Sequence, residues 1–233
     1  MNIVVFGANG FTGRLLAEQA LAEGHAVRAF TRHPETFPLT HDRLQVIQGD
    51  VLDLASVDQA INGQDAVLST LGGPFSRKPI TLQSQGTANI VQAMHHHGVR
   101  RLVCVSSSAL DPYDDPKEGF FFRKILQPFF VGVVGRGTYT DQRQMESTVM
   151  SSGLDWTMVR PSGLFKSPAV TEYKVAESRI SGRFTSRLDL ADFMLQQVSD
   201  GRYVHKAVAV ATVTGLPNFL GFLWSEGIRK KAA

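Results

Sequence analysis

Three glycines set three residues apart, Gly7, Gly10 and Gly13, narrow the fold of this chain more than any other feature. They follow four apolar residues, Ile3 to Phe6, and precede a segment in which Phe11, Leu15, Leu16, Ala20 and Leu21 fall on one helical face. A buried strand, a tight turn and a helix N-terminus in that order predict a cradle for a dinucleotide pyrophosphate. Small residues let the backbone approach the phosphates, and unpaired N–H groups at the positive end of the helix dipole hold the anion. Alone, Gly-x-x-Gly-x-x-Gly is a weak signal. Its weight here comes from the strand before it, the helix after it and a second strand beyond.

Further along, Gly24 stops the first helix, and residues 26–32 read as a second strand ended by His33-Pro34. A third strand over 44–48 runs into Gly49-Asp50-Val51, a short helix covers 54–61, and a fourth strand covers 65–70 before the loop Leu71-Gly72-Gly73-Pro74. A helix over 81–97 is capped by Gly98, and a fifth strand over 101–106 ends in Ser106-Ser107-Ser108. Then come a helix over 138–152, a sixth strand over 155–160 closed by Pro161, an apolar helix over 188–198 and a last strand over 207–211. Strands alternating with helices predict an α/β fold with a doubly wound, mainly parallel sheet. No internal repeat or linker interrupts it, so residues 1–233 read as one domain, with irregular substrate-side segments at about 111–137 and 162–186.

Hydrophobic residues make up 43% and charged residues 19%, a globular composition. The net charge of +3 is spread along the chain, which argues against a nucleic-acid groove. The lone Cys104 excludes an internal disulfide and a cysteine metal cage, and in Leu102-Val-Cys-Val105 it reads as a small buried hydrophobe. With no basic leader, no export signal and no apolar run of the roughly 20 residues that span a bilayer, the expected location is cytoplasmic.

In a doubly wound sheet the second strand ends beside the adenosine ribose, where an NAD site usually carries Asp or Glu for the 2′-hydroxyl. Here that strand ends Phe30-Thr31-Arg32, with Arg32 19 residues past Gly13 and no carboxylate. Arg32 offers a planar fork to a 2′-phosphate, Arg14 can reach the same region, and Thr12 adds a hydroxyl. The expected cofactor is therefore NADP, ahead of NAD.

Taken together, Val4-Val-Phe-Gly-Ala-Asn-Gly-Phe-Thr-Gly13, Gly49-Asp50-Val51, Val105-Ser106-Ser107, Gly153-Leu-Asp-Trp-Thr-Met-Val-Arg-Pro161 and Thr185-Ser-Arg-Leu-Asp-Leu-Ala-Asp192 resemble the atypical short-chain dehydrogenase/reductases. Within that group the chain is similar to the NAD(P)H-binding, NmrA-like branch that includes biliverdin IXβ reductase (flavin reductase). The resemblance covers nearly the whole chain. It implies a Rossmann fold with substrate over the C-terminal edge of the sheet. It also implies that Gly7, Gly10, Phe11 and Thr12 hold the pyrophosphate, with Arg32 at the adenosine phosphate; Asn9, Gly13 and Arg14, in and just after the same turn, are further cofactor-binding candidates. Asp50 and Val51 then fall at the adenine, Leu71 and Gly72 along the far ribose, and Ser106 and Ser107 near the nicotinamide as the catalytic candidates.

Classical members of that superfamily use Ser, Tyr and Lys, with Tyr four residues before Lys so that both face the nicotinamide. Tyr139 and Arg143 have that spacing, but the resembled helix places a Glu eight residues after the tyrosine. Counting back from Glu146 lands on Thr138, with Gln142 where Lys would be, and leaves Tyr139 turned by about 100°. A reductase without this proton donor needs an acceptor that asks for little acid catalysis, such as a flavin, a quinone or a linear tetrapyrrole. The resembled biliverdin reductases carry a His after the strand's proline, whereas this chain has Pro161-Ser-Gly-Leu164. The expected function is NADPH-dependent hydride transfer to a planar apolar acceptor; the alternative is an NADP(H) sensor that binds without turnover.

Three other features bear on partners. The phenylalanine-rich segment 119–134 fits a lid over the acceptor as well as it fits a core helix or a dimer contact. His95-His-His97, consecutive on a helix, are expected to point in three directions at a solvated helix end, so no metal site is expected. The tail 216–231, with Phe219-Leu-Gly-Phe-Leu-Trp224 and Arg229-Lys-Lys231, fits docking on the domain or a protein partner better than weak contact with a membrane surface.

Overall fold

The computed structural model describes residues 1–73, 75–110, 130–178 and 180–217. Most of the phenylalanine-rich segment and the tail expected to dock on a partner lie outside the described residues. The strands are β1 (Asn2–Phe6), β2 (Ala26–Thr31), β3 (Leu44–Gln48), β4 (Ala66–Ser69), β5 (Arg101–Val105), β6 (Asp155–Pro161), β7 (Gly163–Phe165), β8 (Tyr173–Glu177), β9 (Phe184–Ser186) and β10 (Lys206–Thr212). The helices are α1 (Phe11–Ala22), α2 (Leu54–Ile61), α3 (Leu82–His97), α4 (Arg136–Met150) and α5 (Arg187–Gln196).

The main sheet runs β3-β2-β1-β4-β5-β6-β10-β8. All neighbours are parallel except β10 and β8, and β7 pairs with β9 in a separate two-stranded ribbon. This is the doubly wound Rossmann-like α/β fold that the glycine turn and the alternating elements predict. The segment 162–186 is less irregular than expected, since it supplies β7, β8 and β9. Its strands of three and five residues alternate only weakly, and their pairing partners are distant in sequence, so no local pattern announces them.

Burial on both faces explains why β1 reads as an unbroken apolar run. Side chains alternate across a strand, so Ile3 and Val5 join the core beneath α1 and α5, while Val4 and Phe6 join the core beneath α2, α3 and α4. Strand order reverses between β1 and β4, and the crevice opens at that switch point, beyond the carboxyl ends of the strands. The two strands are tied there: Thr70 N–H donates to Phe6 O at 2.9 Å and Thr70 Oγ1 donates to the same oxygen at 3.1 Å.

Helix α4 faces the sheet with Thr138, Asp141, Met145, Glu146 and Val149. Asp141 is fully buried and caps α3 from outside that helix, accepting from Gln83 N–H at 2.8 Å and Ser84 N–H at 2.9 Å. The histidine tract departs from expectation: His95 reaches Ser152 O, but His96 and His97 both converge on Asp58 of α2.

Candidate functional site

A cleft of about 530 Å³ lies over the switch point. Its near half is built by the glycine turn and the ends of β2 and β3, and its far half by the ends of β4 and β5 with α4, α5 and β7.

In the near half the glycines are required by close approach. Gly7 has φ +75°, and a Cβ there would sit 2.8 Å from Thr70 O. A Cβ on Gly13 would lie 2.2 Å from Gly7 O and 2.8 Å from Ala8 Cα, both backbone atoms that cannot swing aside. Gly10 N–H donates to Gly7 O at 3.0 Å, closing the turn, and no side chain among the described residues caps α1. The first N–H groups of α1 therefore remain for an anion, since a helix start leaves its leading donors without intrahelical partners. A glycine cradle and an uncapped helix end fit a dinucleotide pyrophosphate.

Of the other near-half candidates, Asn9, Thr12, Arg32, Asp50 and Val51 line the cleft. Arg32 is exposed beside Thr31 and His33. Asp50 also acts as a turn acceptor, taking Leu52 N–H at 3.0 Å on Oδ1. Val51 is held by Asn89, whose Nδ2 donates to Val51 O at 2.9 Å. Arg14 is not among the lining residues. Its guanidinium donates to Asn9 Oδ1 at 2.9 and 2.5 Å and to Thr36 O at 3.4 Å, bracing the glycine turn against the segment after β2. Phe11 is not on the core face of α1: it is 57% exposed, with Lys166 Nζ 4.8 Å and Arg187 Cζ 5.5 Å from its ring centre.

Leu71, Gly72 and Ser106 line the far half, and Ser107 does not. Ser107 turns its Oγ to Ala109 N–H at 3.2 Å. Ser106 is buried and donates to Glu146 Oε1 at 2.6 Å; Arg160 donates to both oxygens of that carboxylate, at 3.0 and 2.8 Å. This buried, forked pair fixes the Ser106 hydroxyl against α4. Below it, burial and then the Glu146 charge push the Cys104 thiol up to about 12.

Gln142 lines the cleft, whereas Tyr139 and Arg143 do not. Tyr139 packs edge-on against Phe75, ring centres 5.7 Å apart, and burial raises its phenol above the ordinary value. Thr138 is buried and accepts Ser76 N–H at 2.8 Å. Gln142 Oε1 is buried and has no hydrogen-bond partner among the described residues.

Sequence reasoning missed Arg187, Leu164, Leu82 and Leu190, all of which line the cleft. Arg187 could have been found. Ser186 caps α5, taking Leu188 and Asp189 N–H groups, and Ser-x-x-Asp is a helix-start signal that puts the following arginine at the first turn. The three leucines carry no such signal. With Arg32 and Arg187 against Asp50, the charged lining is net positive, which suits phosphates.

The comparisons agree with this geometry. A chloroplast protein of Arabidopsis thaliana, itself uncharacterised, is 31% identical over 176 residues, covering 71% of this chain and 60% of its own length. The (4-alkanoyl-5-oxo-2,5-dihydrofuran-3-yl)methyl phosphate reductase of Streptomyces griseus is 31% identical over 159 residues, 68% of this chain and 46% of the relative. The chain thus spans less than two thirds of either protein. A short-chain dehydrogenase/reductase from Veillonella parvula, solved in complex with NADP, superposes with a TM-score of 0.75 at 20% identity, over 92% of this chain and 95% of that one. That likeness shows a shared fold. A family profile described as NAD(P)H-binding matches residues 7–201, from the glycine turn to beyond α5, and the chain belongs to that NAD(P)H-binding family.

Proposed function

We propose that this protein is an NADPH-dependent reductase that passes hydride to a planar, apolar acceptor of flavin or quinone type without a Tyr–Lys proton donor. The observation that carries this reading is that Gln142, which the resemblance puts in the place of the superfamily lysine, lines the cleft. No tyrosine or lysine lines the cleft among the described residues, while Leu71, Leu82, Val105 and Leu164 give it apolar walls.

When bound, the reduced nicotinamide supplies the hydride. The chain's own residues bind and orient. Gly7, Gly10 and Gly13 admit the pyrophosphate to the N–H groups of α1, and Arg187, within 3.5 Å of Thr12 Oγ1, adds a positive charge nearby. Arg32 supplies a fork for a 2′-phosphate, which supports NADPH over NADH. Gln142 offers an amide to the ribose or carboxamide. Ser106 is a positioning group: its proton is committed to Glu146, so its remaining lone pair can accept but it donates nothing to the acceptor. The proton that completes reduction comes from water, which suits flavins and quinones and not simple ketones.

The second reading is a nucleotide sensor without turnover, favoured by that same commitment of the Ser106 proton. Steady-state NADPH oxidation against flavins, quinones and aldehydes separates the two. Turnover with flat acceptors only is the expected result. Turnover with aldehydes alone overturns the acceptor class, and firm binding of both NADP forms with no turnover leaves the sensor.

A further inference from the structure

We propose that Asp58, His96 and His97 form a site for one first-row divalent cation, with Zn²⁺ as the reference ion, between α2 and α3 and apart from the cleft. Their three ligating atoms lie within 4.8 Å of one another. Adjacent residues on a helix are about 100° apart and do not ordinarily meet. These two meet because they use different nitrogens. His96 brings its near nitrogen, Nδ1, to 2.7 Å from Asp58 Oδ1, and His97 brings its far nitrogen, Nε2, to 3.1 Å from Oδ2. The rings close on the carboxylate with centres 4.6 Å apart.

An ion pair alone explains this arrangement poorly. His97 Nε2 is buried, and its 3.1 Å approach to Asp58 Oδ2 is poorly aligned for a hydrogen bond. A buried nitrogen in that state costs free energy that a metal bond recovers. Zn²⁺ binds imidazole at about 2.0–2.1 Å and carboxylate at about 2.0–2.2 Å, which puts tetrahedral ligand atoms roughly 3.4 Å apart. The 2.7 and 3.1 Å separations run to the two oxygens of one carboxylate and the three ligand atoms spread over no more than 4.8 Å, so closing on one ion takes a side-chain adjustment of at most about 1.4 Å, which the exposed His96 ring can make. Two imidazoles and one carboxylate favour zinc, cobalt or nickel over calcium and magnesium, and water completes the shell.

The role is a staple. Helix α3 begins in the cleft wall at Leu82 and ends at His97, about 22 Å away at 1.5 Å per residue. The ion therefore takes no part in the reaction. It ties α2 to the far end of the helix whose other end lines the site.

The test uses tag-free protein stripped with a chelator and then freed of it. Calorimetry with Zn²⁺ should show one ion per chain, and Co²⁺ should give the visible absorption of a four-coordinate site. Asp58→Asn and His96→Gln should each weaken Zn²⁺ roughly tenfold or more. His95→Gln, whose ring is engaged with Ser152 O instead, should leave it unchanged. Zn²⁺ should raise the unfolding temperature of the wild type but not of Asp58→Asn. No Zn²⁺ binding, binding retained in both ligand variants, or equal loss in His95→Gln overturns the proposal.

Discussion

The two halves of the cleft are made in different ways. The near half is local: the turn 7–13, Arg32 and Asp50 come from three successive strand ends within the first 51 residues, and its shape depends on backbone passing close to backbone. The far half is assembled from Ser106, Gln142, Leu164 and Arg187, which arrive from β5, α4, β7 and α5. The near half fails by steric collision and the far half by loss of a polar contact, and these failures differ in size.

The largest effect is expected at Gly13. An alanine Cβ 2.2 Å from Gly7 O must push α1 away from the turn, at a cost of about 1–3 kcal/mol in stability. On the proposed reading the same shift misaims the N–H groups offered to the pyrophosphate, so Gly13→Ala should weaken NADPH by about 100-fold or more, about 2.7 kcal/mol. Gly72 is the control, since a Cβ there meets nothing within 4 Å. Gly72→Ala should change folding stability by less than about 0.5 kcal/mol. Calorimetric binding and urea unfolding of the two variants check this, and equal damage from both would erase the distinction between the halves.

Next in size is Arg32→Asp. It removes the fork at the end of β2 and puts a carboxylate where an NAD site carries one. The NADPH-to-NADH affinity ratio should fall by about 10- to 100-fold, about 1.4 to 2.7 kcal/mol, as read by fluorescence titration of both nucleotides. An unchanged ratio would move the phosphate away from Arg32.

These near-half predictions could be framed from sequence because their causes are local. Glycine spacing reports a turn, and a strand's last residue reports what stands beside the ribose. The same locality made Gly98, at φ +68°, a readable helix stop. Arg14 shows the limit of such reading: its place in the chain suits phosphate binding, but Asn9 and Thr36 hold its guanidinium, and only the folded turn brings them together. Phe11 fits a helical apolar face yet is exposed and lines the cleft, while Thr12 and Gly13 beside it are buried. In the far half the count back from Glu146 identified Gln142, since helix periodicity carries register over several turns. Nothing local could say that Asp141 beside it caps α3, or that Leu164 would meet the cleft. The convergence of His96 and His97 is hidden in sequence for a related reason, as Asp58 is 38 residues from His96 and comes within reach only once α2 and α3 pack.

Gln142→Met sharpens the contrast in the far half. In the free protein it removes the buried Oε1 that has no partner, relieving a cost of about 1–3 kcal/mol. For a chain of this size each kcal/mol is worth about 2–4 °C, so the unfolding temperature of the free protein should rise by a few degrees. NADPH should bind about three- to tenfold more weakly, because the amide's contact is gone while the near half is intact. A rise in stability with unchanged affinity would show that the acceptor faces no part of the nucleotide.

The smallest expected effect concerns the floor beneath Ser106. Cys104, two residues earlier on β5, is buried, and desolvation followed by the Glu146 charge raises its thiol from 9.0 to about 12. The folded value is raised, so the protonated thiol's stabilising contribution is complete below the unfolded value near 9 and is lost as the pH climbs toward 12. Between those limits the unfolded chain releases a proton that the folded chain keeps, and wild-type stability should fall with pH more steeply than that of Cys104→Ala. At neutral pH the folded protein should resist iodoacetamide completely and react only in urea, because neither thiolate nor access is present. Glu146→Gln removes the charge that supports the shift and one partner of the Arg160 pair, so it should let alkylation begin under native conditions. Native alkylation of the wild type would mean instead that water reaches β5 from below. Ser106 would then sit on a wet floor, and its fixed orientation, which sets the far half apart from the near one, would lose its physical basis.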